Sequence, residues 1–289
     1  MRNKTLTFFL FLLPGLFLIL VFRYYPFLSA IYHSFTEWNA ISSNFIGIGN
    51  YIKLFKDTDF WISLKNVFIY VILRIIFITT MSVLGAELIY NIQSEKISYF
   101  WRYIFIIPMI IPASVTLLLW KFIYSSFGIL NQFLGIVGIN TFKAWLGDPS
   151  TALIAVSFVG FPFLSSAQFL ITISALQNID KSIIDASKID GANIIQRIFW
   201  IDLRLIKDKI VLIMMLTFIW DFQAAQNFLI LTQGGPGRAT LVPGLYVYQT
   251  AFEYSQFGYS CAIGVIISII IFIFYNLLNK ITSQKEVRR

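Results

Sequence analysis

"VFIYVILRIIFITTMSVLGAELIY", residues 67–90, is long, mostly apolar and interrupted by Arg74. A bilayer core of roughly 30 Å needs about 20 predominantly apolar residues per helix, and this stretch meets that length. Working outward, five more stretches do the same: Leu6–Tyr25, Tyr103–Tyr124, Thr151–Leu176, Ile210–Leu231 and Tyr259–Leu278. The chain therefore reads as an all-α integral membrane protein with six transmembrane helices. Composition agrees, since 58% of the 289 residues are hydrophobic and 12% charged, against about 25% charged in soluble domains.

Several function classes lose their support at this point. A single cysteine, Cys261, cannot form an internal disulfide, and a single histidine, His33, leaves no Cys/His cluster for zinc. The net charge of +8 is spread between the apolar stretches and forms no aromatic-interleaved basic patch, so membrane topology explains it better than nucleic acid does. Arg2 and Lys4 precede the first apolar run as in a secretory signal. That run exceeds a signal's apolar region and lacks an A-x-A site, which predicts a retained helix. With the N-terminus in the cytoplasm, twice as many Lys and Arg fall on the cytoplasmic side as outside. Both termini are thus expected inside, and residues 177–207, between the fourth and fifth helices, face the cytosol.

Within that loop lies "IIDASKIDGANIIQRIF", Ile183–Phe199. Ile183, Ile184, Ile189, Ile194, Ile195, Ile198 and Phe199 recur at helical spacing, while Asp185, Lys188, Asp190, Gln196 and Arg197 form a polar side. Gly191 would cost a continuous helix about 1 kcal/mol relative to Ala, so it marks a break between two short helices or a close approach of another surface. Ser187, Gly191 and Ala192 make a shallow face. On periodicity alone, a helix lying on the membrane and a docking helix stand equally.

"DASKIDGA" resembles the EAA loop of ABC importer permeases, E-A-A-x-x-D-G-A, with Asp185, Ala186, Ser187, Asp190, Gly191 and Ala192 at the matching positions and Lys188 between them. Asp replaces Glu, Ser replaces the second Ala, and Asp180 and Arg204 stand where the family usually has proline. "FLLPGLFLILVFRYYPFLSAIYHSF", "FIGIGNYIKLFKDTDFWISLKN", "FGILNQFL", "AWLGDPSTALIAV" and "LTQGGPGRATLVPGLYVYQTAFEYSQFGYSCAIG" resemble landmarks of carbohydrate-type permeases in the expected order. "TQGGPGRAT" is similar to the first of two paired permeases, the type of the larger membrane subunit of the maltose transporter. The resemblance implies one transmembrane domain over residues 1–289 with the type I importer permease fold. It also implies that residues 177–207 hold a coupling helix that inserts into a cytosolic ATPase. The implied partners are a second homologous permease, two cytoplasmic ATPase subunits that bind ATP and Mg, and an extracytoplasmic substrate-binding protein. This chain itself would carry no cofactor and would sit in a bacterial cytoplasmic membrane.

No G-x-x-x-x-G-K-[ST] is present, so ATP hydrolysis must belong to another chain. "GGPGR" follows the fifth stretch on the expected outer face. Gly234, Gly235 and Pro236 read as part of an outer gate or a binding-protein docking surface, with a simple turn as the alternative. For the substrate path, Trp220, Gln223 and Asn227 would share one face of a continuous fifth helix, an aromatic plate beside two amides that suits a sugar. Gln168, Ser165, Trp120 and Tyr124 are further candidates, with interhelical hydrogen bonding as the alternative for all. Asp221 needs a partner or water. Pro108, Pro112 and Pro162 predict bends. A self-sufficient secondary carrier would explain the spans but not "DASKIDGA", and a permease for a polyol phosphate is a variant of the importer reading. Asp57 and Asp59, offered as an enzyme's paired carboxylates, sit among Lys53, Lys56 and Lys65 and read as a solvated outer face.

Overall fold

The structure, a computed structural model, describes residues 2–162 and 165–286. Phe163 and Leu164 of the fourth apolar stretch, and Arg288 and Arg289 at the basic C-terminal end, lie outside the described residues. In chain order, α1 (Arg2–Ile19) continues through a π turn, Leu20–Tyr24, into α2 (Tyr25–His33). A two-stranded antiparallel hairpin follows, β1 (Thr36–Trp38) with β2 (Ser43–Phe45), pairing Thr36 with Phe45. Asn39 closes its turn by accepting from the backbone amides of Ile41 and Ser42. Then come α3 (Gly49–Lys56), α4 (Thr58–Tyr90), α5 (Glu95–Ile106), α6 (Ala113–Ile123), α7 (Ile129–Ile136), α8 (Ala152–Ser157) and α9 (Ser166–Gln177). The remainder is α10 (Lys181–Ile189), α11 (Ile194–Arg197), α12 (Leu203–Leu205), α13 (Lys207–Phe222), α14 (Gln226–Leu231), α15 (Pro243–Tyr248) and α16 (Phe257–Glu286).

Among the described residues, three helical runs are long and apolar enough to cross a membrane unbroken: Phe9–His33, Thr58–Tyr90 and Phe257–Leu277. The third predicted span is bent by 96° between Glu95–Ile110 and Ala113–Ile123. Pro108 and Pro112 flank the bend, and each removes a backbone donor from the helical ladder. The fourth span is divided between α8 and α9, with Pro162 in the interruption. The fifth is divided as well, which corrects the expectation of one continuous helix there. α13 ends at Phe222, Gln223 caps it and α14 begins at Gln226, so Trp220, Gln223 and Asn227 do not share one helix face. The physical reason is an approaching backbone. A Cβ on Gly244 would lie 2.8 Å from the carbonyl oxygen of Gln223 and 3.0 Å from that of Ala224, so α15 reaches the break only because residue 244 has no side chain.

The chain forms two compact units, Met1–Trp61 with Tyr246–Phe272, and Ile62–Leu245 with Ile273–Arg289. In the first unit, Asn50 donates to the carbonyls of Ser34 and Thr36 at 3.0 and 2.9 Å and fixes α3 against the hairpin. Asp57 is half-buried and accepts hydrogen bonds from the hydroxyls of Tyr246 and Tyr259, both at 2.5 Å. Burial pushes its carboxyl up, but these two hydroxyls and the amides of Asp59 and Phe60 outweigh it and hold the group below the ordinary carboxylate range. Asp57 is therefore a structural clamp, where the sequence suggested a solvated face. In the second unit, Phe169, Ile173 and Leu176 of α9 pack with Ala86 and Ile89 of α4, and with Ile179 and Ile206. Asn66 donates to the carbonyls of Arg238 and Leu241 at 3.0 and 2.9 Å.

The approach at Gly244 yields a stability test. Gly244→Val should destabilise the purified protein by about 1–3 kcal/mol through overpacking, read as a lower melting temperature in detergent. Gly264→Ala, inside α16, should hold or raise that temperature, because a methyl there meets nothing within 4 Å and alanine favours the helix.

Candidate functional site

The break between α13 and α14 holds an ion pair. Tyr70 and Arg74 lie four residues apart on one face of α4. Arg74 Nε donates to Asp221 Oδ2 at 3.2 Å, and its Nη1 donates to the carbonyl of Val159 at 3.3 Å. The Tyr70 hydroxyl donates to Asp221 Oδ1 at 3.4 Å and accepts from Asn227 Nδ2 at 3.2 Å. The partner that Asp221 requires is thus Arg74, the one basic residue left inside the second apolar stretch. Asn227 is an interhelical tie in this network. Gln223 donates back to the carbonyl of Ile219 at 2.8 Å and is exposed, as is Trp220 at 56%. The structure therefore keeps Trp220 and Gln223 on the open side of the break and turns Asn227 inward.

The other path candidates scatter. Gln168 is buried, and its Oε1 has no hydrogen-bond partner among the described residues. Ser165 precedes α9 at its N-cap, with no side-chain cap bond. Trp120 and Tyr124 meet with ring centroids 5.2 Å apart. They line a cavity of about 610 Å³ with Phe133, Trp145, Phe158 and Phe161, a set too apolar for a hydroxyl-rich solute. Neither Trp220 nor Gln223 reaches it. Nearby, Lys143 pairs with Asp148 at 2.8 Å, and this bond with those from Ser150 holds the Asp148 carboxyl well below its usual range.

The Gly-rich loop closes on itself. Gly234 has φ +87°, and the buried Thr240 hydroxyl donates to the Gly235 carbonyl at 2.7 Å and lies 2.7 Å from Thr232 Oγ1. Pro236 sits inside this closure, with the Ala239 amide donating to its carbonyl at 3.1 Å.

The segment between α9 and α13 builds a corner from local rules. Asp180 caps α10 by accepting from the Ser182 amide at 2.9 Å, and the bonds from Ser182 hold its carboxyl below the ordinary range. The departure from proline at this position thus supplies a cap. α10 ends at Ile189, with Asp190 as its C-cap and Gly191 next at φ +76°. The Ala192 amide donates to the Ser187 carbonyl and the Gly191 amide to that of Lys188, the paired bonds of a Schellman motif. Asn193 then starts α11 with a reciprocal capping box to Gln196. Ser187 and Ile184 face the core, whereas Ile189 is 87% exposed and Ile194 and Ile195 flank it at 59% and 67%. Asp185 and Lys188 form an exposed pair at 3.1 Å, worth little to stability. A Cβ on Gly191 would meet nothing within 4 Å.

Behind the corner lies a cluster that sequence reasoning missed. Asp202, fully buried, pairs with Arg197 at 3.0 Å, and Arg197 also donates to Asn91, whose side-chain amide donates to Glu87. Glu87, the acidic residue inside the first-quoted stretch, was the available signal.

These features define a helical protein with long apolar runs and a capped, two-helix corner between its fourth and fifth predicted spans. Residues 82–287 match the binding-protein-dependent transport system inner membrane component family, and the chain belongs to that family. It is 33% identical over 273 residues to the probable ABC transporter permease protein YurN of Bacillus subtilis, covering 93% of each chain. It is 30% identical over 282 residues to the multiple sugar-binding transport system permease protein MsmF of Streptococcus mutans, covering 96% of this chain and 95% of that one. The diacetylchitobiose uptake system permease protein NgcF of Streptomyces coelicolor is also 30% identical, over 301 residues, with 97% of this chain and 84% of that one covered. In fold, the chain resembles a bacterial alginate ABC transporter with a TM-score of 0.85 at 18% identity, covering 98% of this chain and 96% of that one.

Asp221→Ala should leave Arg74 buried without its counter-charge and cost about 3–5 kcal/mol, whereas Arg74→Leu with Asp221→Leu should recover most of that stability. Thermal melts of the purified single and double variants measure the difference.

Proposed function

We propose that this chain is one permease subunit of an ATP-driven, binding-protein-dependent importer that moves a carbohydrate into the cytoplasm. The observation that carries the reading is the corner at Gly191. A left-handed glycine with open space around it stands between exposed isoleucines, on a segment whose other face is anchored in the core. Such a tip suits a groove on a cytosolic ATPase, with Asp185, Lys188 and Asp190 orienting it at the rim. Ala186, Ser187 and Ala192 let the partner approach closely. ATP and Mg then belong to two ATPase subunits. The names of relatives that take up diacetylchitobiose and multiple sugars support the carbohydrate class.

In this reading the chain crosses the membrane six times, three of the crossings being compound, and both termini lie in the cytoplasm. The run Phe9–His33 has none of its most apolar window buried within the chain, which supports a second, homologous permease as its cover. Trp220 and Gln223, open beside the break, take the sugar path, in keeping with the rule that irregular membrane backbone lines cavities. Gly234, Gly235 and Pro236 serve the outer gate or the docking of an extracytoplasmic binding protein.

Two measurements test this. Gly191→Trp should abolish co-purification of the ATPase, or at least cost about 1–3 kcal/mol of docking by overpacking. Gly191→Asn, which tolerates the left-handed backbone, should retain it. In proteoliposomes containing all partners, labelled maltotriose, raffinose and diacetylchitobiose supply the uptake panel. Gln223→Ala should weaken uptake of the accepted sugar by roughly 0.5–1.5 kcal/mol without loss of assembly. Wild-type ATPase binding in Gly191→Trp, or no uptake of any sugar, would count against the respective half of the reading.

A further inference from the structure

We infer that Arg197 is a positioning residue that clasps the cytosolic segment to the end of α4, and that α4 conveys the segment's movement to the helix break beside Asp221. The inference rests on the coupling role proposed above and adds the route by which movement leaves the segment.

The clasp is a chain of four polar side chains. Asp202 ends the π turn Ile198–Asp202 and is fully buried, and Arg197 Nε donates to its Oδ2 at 3.0 Å. Nη2 of the same guanidinium donates to Asn91 Oδ1, just past the C-terminus of α4. Asn91 Nδ2 donates in turn to the Glu87 carbonyl at 2.8 Å and to its Oε2 at 3.3 Å. Only a planar, forked cation spans two acceptors in this way. Asp202 Oδ1 and Glu87 Oε1 have no hydrogen-bond partner among the described residues. The Arg197–Asp202 pair lies within the segment, so the Arg197–Asn91 bond is the directional tie between the segment and α4. The apolar contacts alongside, Ile184 and Leu203 against the α4–α9 core, lack direction and permit sliding. A groove of about 420 Å³, lined by Asn91, Lys181, Ile184, Lys188 and Ile194, leaves space for α10 and α11 to rock about the clasp.

The α4 helix is unbroken from Thr58 to Tyr90. At 1.5 Å per residue, Arg74 lies about 25 Å along the axis from Asn91. There Tyr70 and Arg74 grip Asp221 at the end of α13. A displacement of Asn91 is therefore delivered to a side chain adjoining the break, through one rigid element with a charged grip at each end.

The test needs no knowledge of the transported solute. The complete transporter is placed in nanodiscs with Cys261→Ser and a probe thiol, Gln226→Cys, at the exposed start of α14. Fluorescein maleimide labelling is timed without nucleotide and after trapping with ATP, Mg and orthovanadate. Trapping should change the parent's labelling rate at least about fivefold, the lower range of coupling between sites. Asn91→Ala should reduce that change below about twofold. Arg197→Lys should do the same, because an ammonium holds Asp202 but cannot also span to Asn91. In both, ATPase co-purification, trapping and melting temperature should stay near the parent's. The double variant should be no worse than either single one, as expected of two residues acting through each other. Labelling changes that persist in both variants, no change in the parent, or loss of the bound ATPase in the variants would each overturn the clasp. Failure of the docking reading has its own signature: Gly191→Trp that still binds ATPase and still traps vanadate, whatever Asn91→Ala does.

Discussion

A charged group in lipid must find its partner within the protein, and the pairing of Arg74 with Asp221 organises much of the second unit around that demand. The pair joins a long unbroken helix to the end of a shorter one, and Tyr70 and Asn227 extend it across the interruption into α14. Val159, beyond α8, supplies a carbonyl to the same arginine, so a third segment is drawn to the site. Helices in a membrane gain little from apolar contact with one another, since lipid offers the same surroundings. Polar ties of this kind set which helices meet and at what height.

The interruptions follow from the same constraint. A broken helix exposes backbone donors and acceptors that lipid cannot satisfy, so it survives where protein or water meets them. Around Gln223 the answer is local, with the side chain returning to the Ile219 carbonyl and α15 pressing close through Gly244. At Pro108 and Pro112 the ring chemistry removes donors before they can go unmet.

The legible parts of the sequence were those written in neighbouring residues. Gly191 announced a break, and the structure builds one from a left-handed glycine and a capping box that Asn193 and Gln196 spell out three residues apart. Pro108, Pro112 and Pro162 likewise mark bends or interruptions. Asp221 was legible as a residue in need, but its partner lies 147 positions away and no local pattern names it. The division of the fifth span was invisible, because Gln223, Ala224 and Ala225 are ordinary helix residues and the cause arrives from residue 244. The same distance hid the Arg197–Asn91 bond, which joins positions 106 apart. Trp220 and Gln223 remained open to a path, while Asn227, chosen by helical spacing, was claimed by Tyr70 once the helix broke.

The corner at Gly191 has one more property. Its cap at Asp180, its Schellman bonds and its capping box at Asn193 all close within a few residues. A shape specified so locally behaves as a cassette. It can drift in sequence on its outer side without disturbing the helices beneath, so, under the proposed function, allegiance to a given ATPase and choice of cargo are free to evolve on separate schedules.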